Sequence, residues 1–140
     1  MTGTISPIPP MSTEVYMSTT DATIEQEIQA KGLTAQRVTP ADIAAEIASE
    51  FYFTAADGVR GELLSSLPEL GVNFGGDNPL SLLTFCVLVL RNGFTVTGES
   101  ACASPENFDA EVGRKIARQN AVQKIWPLMG YELRTKLAGL

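Results

Sequence analysis

Histidine is absent from the 140 residues of the chain, and that absence excludes more chemistry than any motif in it supplies. Ser-His-Asp and Cys-His hydrolases, histidine-ligated zinc and imidazole acid-base catalysis all need the missing side chain. Cysteine is scarce as well. Cys86 and Cys102 stand in neither a metal-binding spacing nor a C-x-x-C pair, which fits a reducing compartment and offers no disulfide framework. No run approaches the ~18 to 20 apolar residues of a membrane span, and the first residues have neither the basic start nor the apolar stretch of a signal peptide. The chain is therefore expected inside the cell, without a membrane partner. Segments of the form G-x-x-x-x-G-K-[ST], G-x-G-x-x-G and G-x-S-x-G are missing, and no cofactor is implied. Glu99 and Glu106 are a carboxylate pair, but nothing in their spacing raises one pKa over the other. The expectation is a binding protein and not an enzyme.

Basic side chains are few and unevenly spread. Lysine and arginine number 10 against 16 acids, for a net charge of -6. Residues 1–90 carry eleven acidic side chains and three basic ones, whereas residues 111–140 carry two and six. Such a chain is repelled from a long polyanion, so duplex nucleic acid is not an expected partner. A confined basic cluster still holds one small anion at short range.

Apolar residues make up 44% and charged residues 19%, the balance of a chain that folds. Residues 1–20, with Pro7, Pro9 and Pro10 among Ser, Thr and Met, lack an apolar period and read as a flexible leader. Residues 21–140 read as a single α+β domain: a small antiparallel ribbon or sheet packed on a C-terminal helix, with short N-terminal helices. Asp21 to Lys31, closed by Gly32, predicts a helix. Thr39-Pro40-Ala41-Asp42 opens a second one, whose stripe of Ile43, Ile47 and Phe51 continues to Phe53 before Thr54 to Gly58 break it. Two short helices also suggest a DNA-reading helix-turn-helix, but Asp42, Glu46 and Glu50 would face outward where a reader needs Arg, Lys or Asn. Gly58 to Pro79 reads as an irregular loop.

Leu80 to Leu90 is nearly continuous apolar sequence, Asn92-Gly93 is the preferred pair of a type I' turn, and Phe94-Thr95-Val96-Thr97 alternates. That turn sets Leu90 opposite Thr95, Cys86 opposite Glu99 and Leu83 opposite Cys102, with the two cysteines on opposite faces and both thiols free. Ser104-Pro105-Glu106 then starts a helix that Pro127 stops. On it Phe108, Val112, Ile116 and Trp126 form the face expected on the sheet. Ala110, Ala117, Ala121 and Ile125 form a second stripe, edged by Arg114 and Arg118 and suited to a helix of another chain. A last short helix follows Gly130.

Six residues are candidates for ligand binding. Phe94 beside Arg91 pairs an aromatic ring with a cation, an arrangement that stacks a purine and screens a phosphate; it equally fits an ordinary hairpin aromatic. Asn107 offers an amide to a base or ribose edge, or simply caps the helix. Arg114 and Arg118 supply guanidinium forks for phosphate, or else surface salt bridges to Glu111 or a partner subunit. Lys124 adds a cation further along the same helix.

Several segments carry a family resemblance: Leu83 to Leu88, Asn92 to Cys102, Ser104 to Asp109, Gly113 to Ala117 and Lys124 to Leu128. Over about Ile43 to Leu137 the chain resembles a family of small tailed-phage proteins. In its strand-turn-strand-helix core that family is similar to the Thoeris anti-defence sponge proteins, which sequester cyclic ADP-ribose signals and, in some members, the cyclic oligonucleotides of CBASS-type defence. The resemblance implies a non-enzymatic protein in the host bacterial cytoplasm. It would be a homodimer building toward a hexamer that holds a small cyclic nucleotide uncleaved. Phe94, Asn107 and Arg114 carry over as aromatic, amide and cation, with Arg118 and Lys124 beside them. The alternative is a phage accessory adaptor that binds and inhibits a host protein through the apolar ribbon face.

Overall fold

The computed structural model of the chain describes residues 19–66 and 78–140. The expected leader lies almost wholly outside them. The described residues form the anticipated α+β protein, with elements in the order α1 (Thr19–Ala30), α2 (Pro40–Glu46), β1 (Ile47–Thr54), α3 (Ala55–Ser66), β2 (Leu83–Leu90), β3 (Thr95–Ala101), α4 (Ala110–Gln123) and α5 (Ile125–Leu137). Two compact units divide the chain: Met1–Glu46 with Leu128–Leu140, and Ile47–Pro127.

In the first unit α1 ends as its sequence dictates, at Gly32 with φ of 67°, a conformation that costs glycine little. The Arg37 guanidinium then grips Glu25 of that helix with both terminal nitrogens, at 2.7 and 2.8 Å. Helix α2 opens with a reciprocal box: the Thr39 hydroxyl accepts from the Asp42 N–H and the Asp42 carboxylate accepts from the Thr39 N–H. It does not run to Phe53. It stops at Glu46, and Ile47–Thr54 is a strand. The four-residue spacing of Ile43, Ile47 and Phe51 straddles two elements, and from Ser49 onward the alternation of Glu50 and Tyr52 with Phe51 and Phe53 governs. A fully apolar β2 explains this outcome, because such a strand needs a neighbour on each edge and cover on its faces.

The second unit is built on an antiparallel sheet of order β1-β2-β3. Tyr52 pairs with Cys86 and Phe53 with Phe85, and Ala48 bulges out between Ile47 and Ser49. The β2-β3 turn differs from expectation. Gly93 N–H donates to the Leu90 carbonyl and Leu90 N–H to the Phe94 carbonyl, so the loop is Arg91-Asn92-Gly93. Only Gly93 among these three has positive φ, at 87°, which is the three-residue loop with a glycine bulge and not a type I' turn. The Asn92 side chain secures it by accepting from the Phe94 N–H. The extra loop residue slips the register by one: Val89 faces Thr95, Cys86 faces Gly98 and Phe85 faces Glu99. Phe94 therefore pairs with Leu90, and Arg91 lies in the loop. Cys86 and Cys102 fall on the same face, since Cys102 donates its N–H to Leu82. Both are free, separated by four residues of strand, about 13 Å, well beyond disulfide reach.

Helix α4 covers the face carrying Thr84, Cys86 and Leu88, and the face it uses is the reverse of that expected. Ala117 and Ala121 are fully buried, whereas Val112 and Ile116 are 51% and 43% exposed. Gly98 is the reason. A Cβ there would run into the Ala117 carbonyl and the Ala121 amide, so the helix backbone rests on the strand backbone, and only alanines fit beneath it. The stripe read as an interface for another chain is thus occupied by the protein's own sheet. Ser104 and Pro105 open only a 3-10 turn, Pro105–Asn107; the cap of α4 is Asp109, whose carboxylate accepts from Val112 N–H. Pro127 does not stop a helix. It sits in the first turn of α5, where a missing N–H is harmless, and Gly130 lies inside that helix. Of the loop expected over Gly58 to Pro79, residues 58–66 belong to α3, and residues 67–77 lie outside the described residues. The start of α3 is a second reciprocal box, Thr54 with Asp57.

Candidate functional site

Among the described residues, the apolar half of the sheet face opposite α4 is partly exposed. Phe53 stacks on Phe85 with centroids 5.6 Å apart and Phe51 is 55% exposed, next to half-buried Val87 and Val89. The β3 half of the same face is polar, with Thr95, Thr97 and Glu99 exposed.

Under α4 the chemistry is polar and tightly paired. Arg118 donates from Nε and Nη2 to the two Glu50 oxygens at 3.1 and 3.2 Å, and the Tyr52 hydroxyl donates to Glu50 at 2.6 Å. Both partners of the ion pair are largely covered, at 15% and 19% exposure. Burial, then the bond to Glu50, push the Tyr52 phenol far above its ordinary value. Burial also pushes the Cys86 thiol up to about 11, so it is an inert core group. Arg118 is accordingly a strut between helix and β1, its fork already filled by a carboxylate.

At the end of the sheet where α4 begins, a cavity of about 280 Å³ opens between helix and strands. Its apolar walls are Leu82, Phe108, Val112 and Ile116, and its polar ones include Ser100 and Asn107. A smaller cavity of about 30 Å³, lined by Phe53, Asp57 and Arg114 among others, shares Thr84 and Phe108 with it. The N-termini of α3 and α4 both reach this smaller space through Thr54 and Ala110. Asp57 is held below the usual carboxylate range, chiefly by the Thr54 N–H, with smaller pulls from the Thr54 hydroxyl and from the charges of Arg60 and Arg114. Thr84 is 3% exposed, and its hydroxyl has no hydrogen-bond partner.

The six candidate residues therefore separate. Asn107 and Arg114 come together around Phe108. Arg91 and Phe94 are exposed at the hairpin loop, at the opposite end of β2 from Thr84 and about 20 Å along the strand. Lys124 caps the far end of α4, about 15 Å along the axis from Arg114. Arg118 is committed to Glu50. Sequence reasoning missed Glu50, placed on a helix surface, and Thr84, whose signal was legible as the one hydroxyl within Leu82 to Leu90. Among the described residues no cluster of Cys, Asp and Glu is arranged to hold a metal, and no helix is long and apolar enough to cross a membrane.

Residues 38–137 match the phage protein family described as N4 Gp49/phage Sf6 gene 66, and the chain belongs to that family. No curated protein and no solved structure matches the chain.

Proposed function

We propose, from the premise that this is a phage protein of that family, that the chain acts by binding and not by turnover. Its ligand is a small cyclic nucleotide immune messenger, a cyclic ADP-ribose isomer or a cyclic oligonucleotide, held intact in an anti-defence role. The observation that carries this reading is the meeting of Asn107 and Arg114 around Phe108, beside two adjoining cavities. An amide that reads a ring edge, an aromatic side chain and a guanidinium that neutralises phosphate are the groups such a ligand needs. The cavity alone is too small for a whole cyclic nucleotide, so the phosphates would sit at its mouth near Arg114. Arg91 and Phe94 enter the same site only from a second copy, because within one chain they lie about 20 Å away. Oligomer formation is thus part of the reading. Titration calorimetry with a panel of cyclic nucleotides tests it. Binding by the wild type, weakened at least about tenfold by Arg114→Ala or Asn107→Ala, is expected; no heat with any member of the panel refutes it.

A second reading rests on the partly exposed sheet face opposite α4. Phe51, Phe53, Val87 and Val89 form an apolar centre with a polar rim of Thr95, Thr97 and Glu99, the layout of a protein-binding surface. As an adaptor inhibiting a host protein, the chain would retain one defined host polypeptide and lose it on Phe51→Asp, with its circular dichroism unchanged. Retention that survives Phe51→Asp refutes this second reading.

A further inference from the structure

The two outer edges of the sheet differ. Among the described residues the order β1-β2-β3 leaves β1 and β3 with one unpaired side each, and an unpaired side is a template for another strand. The edge of β3 is overhung by α4, whose Asn120 side chain donates to the outward Glu99 carbonyl at 2.8 Å. At β1 the helix instead reaches the Glu50 carboxylate through Arg118, on the face of the sheet and not across its edge. The alternation of hydrogen bonds fixes which groups of β1 point outward. Even-numbered residues along β2 bond to β3, as Leu90 does with Phe94 and, just before the strand, Leu82 with Cys102. The odd ones, Phe85, Val87 and Val89, therefore bond to Phe53, Phe51 and Ser49. Glu50, Tyr52 and Thr54 turn their N–H and C=O groups away from the sheet. The Thr54 N–H is taken by the Asp57 carboxylate, which leaves Glu50 and Tyr52 as the open stretch. From Ser49 to Thr54 the strand has no lysine, proline or bulge to guard it, and its one charge, Glu50, is paired with Arg118. Phe51, at the centre, is 55% exposed.

This stretch is complementary to itself. An antiparallel pairing centred on Phe51 sets Phe51 opposite its counterpart in a non-hydrogen-bonded pair, where side chains come closest, and Ser49 opposite Phe53. Glu50 then lies opposite Tyr52, and the outward N–H and C=O groups of both find partners. Centring on Glu50 would oppose two carboxylates, and centring on Tyr52 would call on the Thr54 N–H that Asp57 already holds.

We infer that the edge of β1 pairs with β1 of a second copy about a two-fold axis at Phe51, joining two three-stranded sheets into one continuous sheet. The contact gives the proposed sequestration its assembly and rests on that part of the reading alone. Sedimentation of the full chain should show a dimer that dissociates on dilution. Phe51→Lys, which sets two ammonium groups face to face, should weaken it at least about tenfold with the circular dichroism unchanged. Cross-linking in a Cys102→Ser background reads the register. Under mild oxidation Phe51→Cys should form a disulfide between copies, whereas Ser49→Cys and Phe53→Cys should do so only when mixed with each other. A monomer at every concentration up to about 1 mM, leaving the edge to a strand of another protein, overturns the inference. So does a dimer that survives Phe51→Lys, or self-linking of Ser49→Cys in place of Phe51→Cys. If the Phe51 cross-link forms and no cyclic nucleotide binds, sequestration falls and the inference stands. If cyclic nucleotides bind to a monomer, or to a dimer indifferent to Phe51→Lys, the inference falls and messenger binding stands.

Discussion

Glu50, Arg118 and Tyr52 show how far a single side chain's meaning depends on the element that carries it. On a helix surface Glu50 would be a solvated charge; on β1 it accepts from Arg118 and Tyr52 at once. Removing one member of such a covered pair strands the other, at a cost of about 2–4 kcal/mol. Arg118→Ala should lower stability by about that much in urea melts, and the double variant Glu50→Gln with Arg118→Ala by less. Losses that simply add, the double variant costing the sum of Arg118→Ala and Glu50→Gln measured singly, would mean that the pair is not coupled. The thiols differ in the same way. Cys86 is fully buried with its pKa raised to about 11, whereas Cys102 is half-buried. A thiol reagent should modify Cys102 in the native protein and Cys86 only after denaturation. Early labelling of Cys86 would contradict the packing. Glu25 supplies a pH dependence. The Arg37 fork, helped by Gln29, draws its carboxyl from 4.5 down to about 2. A lowered folded pKa stabilises fully above the unfolded value and is lost as the pH falls through the folded one. The contribution should thus fade between about pH 4.5 and 2, and acid titration of Glu25→Gln should lack that component.

At the scale of elements, the contact between α4 and β3 decides the fold of the second unit. Gly98→Ala places a methyl against the helix backbone at Ala117 and Ala121, with Ala121 Cα only 2.9 Å away, so helix and sheet must separate. A loss of about 3 kcal/mol or more, or failure to fold, is expected. The control is Gly130→Ala, which meets nothing within 4 Å inside α5 and should stabilise by about 0.5–1 kcal/mol; thermal melts separate the two outcomes. This contact also explains what the sequence could and could not disclose. Capping pairs such as Thr39 with Asp42, the glycine stop at Gly32 and the apolar run of β2 are local signals, and each appears where it was read. The orientation of α4 is not local. Two apolar stripes compete on that helix, and the larger residues Val112 and Ile116 lose because Gly98, far off in sequence, admits only alanine. The hairpin forms where it was expected, but its loop type and register differ for a subtler reason. Asn92-Gly93 serves both the two-residue and the three-residue loop, and one residue of slip exchanges every cross-strand partner. Of the candidate site, Asn107 and Arg114 were legible as a pair on one segment, whereas the distance to Phe94 and Arg91 depends on which end of the sheet α4 begins.

For the whole molecule, the division of charge is the property that bears on function. A net charge of -6 repels extended polyanions, while Arg114 stands beside a cavity at two helix N-termini. An anionic ligand bound there should weaken several-fold when salt rises by about tenfold, whereas a neutral ring should be almost insensitive. Calorimetry at two ionic strengths measures the difference, and equal salt dependence would remove Arg114 from the account. The measurement that bears most directly on sequestration is the fate of the ligand. The purified chain is incubated with a cyclic ADP-ribose isomer or a cyclic oligonucleotide, freed of excess by gel filtration, denatured, and the released small molecule is weighed by mass spectrometry. The account predicts release of the unaltered messenger from the wild type and little or none from Arg114→Ala. A cleaved product, or an empty protein at every messenger tried, would contradict it.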